Sequence, residues 1–112
     1  MRGLWTMLRT QQNAWIHAVA TVAVVIAAFA WEISKAEWLW ILLAIMAVWS
    51  AEAINTAFEF LADAAHPGVH PLIKKAKDVA AGAVLIAAIG AALIGVLVFG
   101  PCLLRSMGLP GR

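Results

Sequence analysis

An all-α integral membrane protein with three transmembrane helices is the fold this sequence predicts, and three observations predict it. Of its 112 residues, 64% are hydrophobic and only 12% are charged, far from the balance of a soluble domain. Residues 14–31 and 79–104 carry no charge, and crossing a bilayer takes about 20 apolar residues, more than a soluble core helix usually offers. A further apolar stretch, 38–62, is interrupted by Glu52, Asn55 and Glu59. The reading is one domain over 1–112, with a surface segment at 1–13 and spans at about 14–31, 38–62 and 78–100.

Residues 1–13 mix Trp5, Met7 and Leu8 with Arg2, Arg9, Gln11, Gln12 and Asn13, which suits a short amphipathic segment lying on the membrane surface. Arg2 and Arg9 ahead of an apolar stretch ending in Ala28, Phe29 and Ala30 imitate a secretory signal. The stretch is long for one, and the first span is read as retained. Glu32 to Glu37 leaves room only for a tight turn between antiparallel helices, with Trp31, Trp38 and Trp40 around it as an interfacial belt. After the second span, His66, Pro67, Gly68, His70 and Pro71 break any helix. On the third, Ala83, Ala87, Ala91 and Gly95 recur every four residues, a small-residue stripe that lets membrane helices approach closely. Beyond Pro101 and Gly108 the tail is read as short and irregular.

Arg2, Arg9, Lys74, Lys75 and Lys77 fall on one side of the spans, against Lys35, Arg105 and Arg112 on the other. The positive-inside rule then puts the amino terminus and the second connection in the cytoplasm, and the carboxyl terminus outside. A net charge of +2, scattered along the chain, argues against nucleic acid as a partner. The single Cys102 permits no internal disulfide.

Glu52, Asn55 and Glu59 stand at i, i+3 and i+7, so all three project from one helix face, and Asp63 continues it. A carboxylate in hydrocarbon costs several kcal/mol unless it is paired, protonated or facing water, so intramembrane acids mark function by default. Self-association would help shield Glu52 and Glu59. One reading is an interhelical hydrogen-bond ladder, with Lys77 neutralising one acid. A second is a small oligomer relaying protons or cations through Glu52 and Glu59. A third is a site for a metal and an anion: two carboxylates and an Asn suit a hard cation such as Mg2+, and Lys77 suits the phosphates that accompany it. Phosphoryl transfer needs positioning, charge neutralisation and a base, which this set supplies. The GxxxxGK[ST] phosphate-binding loop is absent from the sequence. His17 is read first as a helix–helix hydrogen bond and second as a site residue. His66 is read as an ordinary loop residue, and Lys74 and Lys75 as interfacial anchors to anionic lipid.

Glu52-Ala-Ile-Asn55-Thr-Ala-Phe-Glu59-Phe-Leu-Ala-Asp63, followed by His70-Pro71-Leu-Ile-Lys-Lys-Ala-Lys77-Asp78-Val-Ala-Ala-Gly82-Ala-Val-Leu, resembles the signature of the bacterial diacylglycerol kinase and undecaprenol kinase family. The resemblance covers about residues 10–95. It implies a homotrimer with three transmembrane helices per subunit that transfers the γ-phosphate of magnesium-ATP to a membrane lipid alcohol. It implies Glu52 as general base, Glu59 as a magnesium ligand, and Asn55, Glu59, Lys77 and Asp78 as contacts to the nucleotide, with Asp63 and His70 near its outer part. The stretch from His70 to Val84 looks more like the undecaprenol kinase branch, so undecaprenol is expected over diacylglycerol. Two departures stand out. Gln11 occupies the position where many members place an acidic residue that shares the metal; its carbonyl can coordinate but brings no charge. The surface segment is also shorter than in other members.

Overall fold

A computed structural model describes residues 2–10 and 12–110, with side chains from 2–7 and 14–110. Four helices follow one another: α1 (Arg2–Thr10), α2 (Gln12–Ala30), α3 (Lys35–Ala65) and α4 (Pro71–Ser106). At 1.5 Å per residue, the 31 residues of α3 and 36 of α4 reach about 46 and 54 Å. Both outrun a hydrocarbon core of roughly 30 Å. These two helices are long and apolar enough to cross a membrane, while the apolar part of α2, Ala14–Ala30, is shorter. Most large apolar side chains on all three point outward, among them Val19, Phe29, Leu43, Ile54, Ile86 and Leu97. That surface suits lipid or a partner helix and would drive aggregation in water.

Each helix boundary has a local cause. At the end of α2 the Ile33 amide donates back to the Ala28 carbonyl, and Glu32 takes the left-handed conformation (φ 50°) that such a helix end requires. Ser34 then opens α3 with a capping box: its hydroxyl accepts from the Glu37 amide at 3.1 Å, and the Glu37 carboxylate accepts from the Ser34 amide at 2.9 Å. The turn is therefore four residues, shorter than the six expected, because Lys35 to Glu37 already belong to α3. At the other end, the His70 ring accepts from the Leu72 amide at 3.1 Å and Pro71 takes the first helical position.

The largest differences from the sequence reading lie at the two ends of α4. The third long helix starts at Pro71, so Lys74, Lys75 and Lys77 lie on its first two turns and not in a loop. It also runs through Pro101 to Ser106, where an irregular tail was expected. A proline removes one backbone donor, and membrane helices absorb such a loss more readily than soluble ones do.

The tightest packing lies at the end bearing the short turn, where Ala28, Ile33, Ile41, Val98 and Cys102 form the core. Around it, Phe29 meets Trp38 edge-on at 5.0 Å, Trp31 packs on Phe99, and the Trp31 indole donates to the Ser106 hydroxyl at 2.8 Å. That fastens α2 to α4. Away from this end, the clefts between the three long helices contain His17, Glu52 and Asn55.

Candidate active site

Glu52 is 1% exposed, at the middle of α3, and Asn55 and Thr56 are buried one turn on. Glu52 and Asn55, together with His17 on α2, form the polar side of a cleft of about 260 Å³. Its other wall is α4, which contributes Ala81, Val84, Leu85 and Ala88. A second cleft of about 300 Å³ adjoins it, lined by Ala20, Val24, Ile41, Ala44, Ala91 and Gly95 among others, and it shares His17 and Ala88 with the first. A polar pocket thus opens into an apolar groove, with His17 at the junction.

The stripe expected from spacing forms, and it grades from buried to wet. Glu52 and Asn55 are buried, Glu59 is half-buried, and Asp63 is exposed. The Asn55 amide donates to the Glu59 carboxylate at 3.2 Å, joining two of the expected site residues. Three buried atoms, Oε2 of Glu52, Oδ1 of Asn55 and Oγ of Thr56, have no hydrogen-bond partner among the described residues. Such groups cost roughly 1–3 kcal/mol each and call for a ligand or a partner. His17 Nε2 lies 3.5 Å from Glu52 Oε2, at the limit of a hydrogen bond and not closed into one.

The cations occupy the wet end. Lys77 pairs with Asp63 across the α3–α4 turn, and Lys74 pairs with Asp78 one turn along α4 at 3.3 Å. Lys77 and Asp63 are therefore brought together, whereas Asp78 is paired with Lys74. His70 caps α4 with one ring nitrogen and stacks edge-on to His66 at 5.1 Å. Gln11 lies outside the described residues.

A hard divalent cation fits the donors present. The half-buried Glu59 carboxylate offers such a cation oxygen donors, and the Asn55 amide holds that carboxylate at 3.2 Å. Among the described residues no three acidic, His or Cys side chains cluster as a metal cage. That combination suits magnesium, which keeps several waters and is usually held by one or two carboxylates together with a substrate's phosphates.

One member of the site was ranked second by the sequence reading: His17 was assigned first to helix packing and only then to the site. A lone His in an apolar run has no periodic signature; only the packing of α2 on α3 places His17 against Glu52.

Comparison with known proteins places residues 1–99 within the model of the prokaryotic diacylglycerol kinases. An undecaprenol kinase of Bacillus subtilis (strain 168) is 45% identical over 100 residues, spanning 89% of this chain and 81% of that protein. A diacylglycerol kinase of Synechocystis sp. is 39% identical over 99 residues, spanning 88% of this chain and 57% of that protein. No solved structure gives a significant match.

Proposed function

The chain belongs to the prokaryotic diacylglycerol kinase family, and from that premise we propose that it is an ATP-dependent lipid kinase of the bacterial cytoplasmic membrane, with undecaprenol preferred over diacylglycerol. One observation carries the reading: a glutamate buried to 1% exposure, with an unpartnered oxygen, stands on the wall of a cleft that continues into an apolar groove. A lipid alcohol fits both halves, its chain in the groove and its hydroxyl at Glu52.

Glu52 is the general base. As the acceptor oxygen attacks the γ-phosphorus of ATP, the hydroxyl proton passes to the Glu52 carboxylate, the bond from the γ-phosphorus to the bridging oxygen breaks, and ADP leaves. Lys77 supplies positive charge to the phosphates, and Asp63 holds its ammonium in place. Asp78 and His70 are nucleotide contacts on the first turns of α4, and Asn55 positions the Glu59 carboxylate. Glu59 would hold magnesium, with Gln11 as a neutral second ligand. When bound, the ion spreads the charge that develops on the transferring phosphoryl group.

Undecaprenol is favoured because a polyprenyl chain ending in one hydroxyl needs only a base and an apolar groove, whereas diacylglycerol adds two ester groups that seek polar partners. The groove supports this with wall residues that are almost all Ala, Val, Ile and Gly. The relative named as an undecaprenol kinase points the same way. Three spans per subunit and a homotrimer complete the proposal, with α2 as the first span and the amino terminus and the 66–70 loop in the cytoplasm. The outward apolar faces of α2 to α4 suit such an assembly. A proton- or cation-conducting oligomer would leave the Lys77–Asp63 and Lys74–Asp78 pairs without a task.

Initial rates with labelled ATP, using undecaprenol and diacylglycerol at matched mole fraction in the same micelles, test the proposal. Phosphate is expected on undecaprenol at the higher rate. Preference for diacylglycerol overturns the branch, and no transfer to any lipid alcohol overturns the kinase. A reporter in the 66–70 loop should score cytoplasmic; a periplasmic score would put Lys77 on the side without ATP.

A further inference from the structure

We propose that His17 is a positioning residue for Glu52: its Nε2–H donates to Oε2 of the Glu52 carboxylate and aims the other carboxylate oxygen at the acceptor hydroxyl. The proposal rests on the reading of Glu52 as general base.

The geometry sets a holder beside Glu52. Its Oε2 is buried and lacks a hydrogen bond, and His17 Nε2 stands 3.5 Å away. The α4 wall of the cleft offers Ala81, Val84, Leu85 and Ala88, which carry no side-chain donor. Asn55, the other polar residue lining the cleft, turns its amide to Glu59 and leaves Oε2 of Glu52 without a hydrogen bond. Among the described lining residues, His17 is the donor that stands against that oxygen. Closing the gap takes a few tenths of an ångström, within the reach of a ring rotation or of helix closure around substrate.

The turn that carries His17 is itself tied to α3. The Thr21 hydroxyl donates to the His17 carbonyl at 2.7 Å and accepts from the Trp49 indole at 2.9 Å. Trp49 precedes Glu52 by three residues, so the base and its holder hang on the same turn of α3. His17 also borders the apolar groove, which places the imidazole where a hydroxyl arriving along that groove would meet the carboxylate. A base free to rotate in a mostly apolar cleft would spend much of its time misdirected, and a fixed donor removes that freedom.

Two substitutions of similar length separate the donor from the shape: His17→Gln keeps an N–H, and His17→Met does not. In the purified full-length kinase, with undecaprenol as acceptor, His17→Met should lower kcat about 10- to 100-fold, as loss of a charge-assisted hydrogen bond predicts. KM for ATP should stay within about two-fold, since the nucleotide contacts are untouched. His17→Gln should recover most of the loss. In a Glu52→Gln background, His17→Met should cost nothing further, because the donor acts through the carboxylate. His17→Leu serves as the donor-free variant if methionine disturbs assembly. Unchanged kcat in the donor-free variant, or equal losses in the methionine and glutamine variants, overturns the role of His17. An inactive wild-type protein would instead overturn the kinase reading on which it rests.

Discussion

Glu52 and Asp63 stand on one face of α3, about three turns apart, and they live under opposite conditions. Glu52 is 1% exposed, and a histidine ring nitrogen stands 3.5 Å from it without closing on it. The Asp63 side chain is 62% exposed and already holds Lys77. An exposed pair contributes about 0–1 kcal/mol, because water competes for both charges. A buried acceptor without a partner costs stability outright. The costly group is thus the incompletely satisfied one, a pattern that packing for stability does not produce and that a waiting reaction does. The wet end is arranged to receive charge from solution, and the dry end to act on one proton.

The largest test of that contrast is Glu52→Gln. Removing the base should lower kcat by about 10²- to 10⁴-fold, while the oligomer assembles and binds ATP. The thermal midpoint should not fall, since the amide relieves a buried carboxylate and can donate to its surroundings. Full turnover in this variant would remove Glu52 from the mechanism. A large drop in midpoint would mean that the dry cluster is structural and that its cost had been misjudged.

At the wet end, Lys77→Met should act on binding. The side chain that neutralises phosphate is lost while the base remains, so KM for ATP should rise by about 10- to 100-fold, the loss of a hydrogen bond from a charged group. A change confined to kcat would move Lys77 from binding into the chemistry and blur the division between the two ends.

Much of this division was legible in the residues, and the rest was hidden for reasons that can be named. Helical spacing alone put Glu52, Asn55, Glu59 and Asp63 on one face, and burial falls along that face toward the exposed end of α3. The break at His66 to His70 was visible in its proline and glycine. The start of α4 was not, because three lysines in four positions look like a solvated loop, whereas the His70 cap and Pro71 start a helix beneath them. Pro101 looked like a stop, and α4 passes through it. Pairing of Lys77 with Asp63 and the approach of His17 to Glu52 depend on how separate helices pack, which no local pattern encodes.

A smaller effect is expected where the chain departs from its family's pattern. Gln11→Glu adds a negative charge at a proposed shared metal position, and divalent affinity rises with ligand charge. The magnesium concentration giving half-maximal rate should fall by roughly two- to ten-fold, with KM for the lipid unmoved. An unaltered magnesium dependence would take Gln11 away from the metal and leave Glu59 as its protein ligand.

Asp63→Asn should give the smallest change and draws the sharpest line between the two ends. If Asp63 serves only to hold Lys77, its loss removes an exposed pair worth at most about 1 kcal/mol. The Lys77 ammonium, still anchored by α4, can reach the phosphates without it. KM for ATP should then rise less than about five-fold, well below the effect of Lys77→Met, and kcat should be unchanged. In the Lys77→Met background the substitution should add nothing, because there is no ammonium left to orient. A rise as large as that of Lys77→Met, persisting in that background, would mean that Asp63 touches the nucleotide itself. The acid would then belong to the binding site and not to its support, and the stripe on α3 would be functional along its whole length from Glu52 to the helix end.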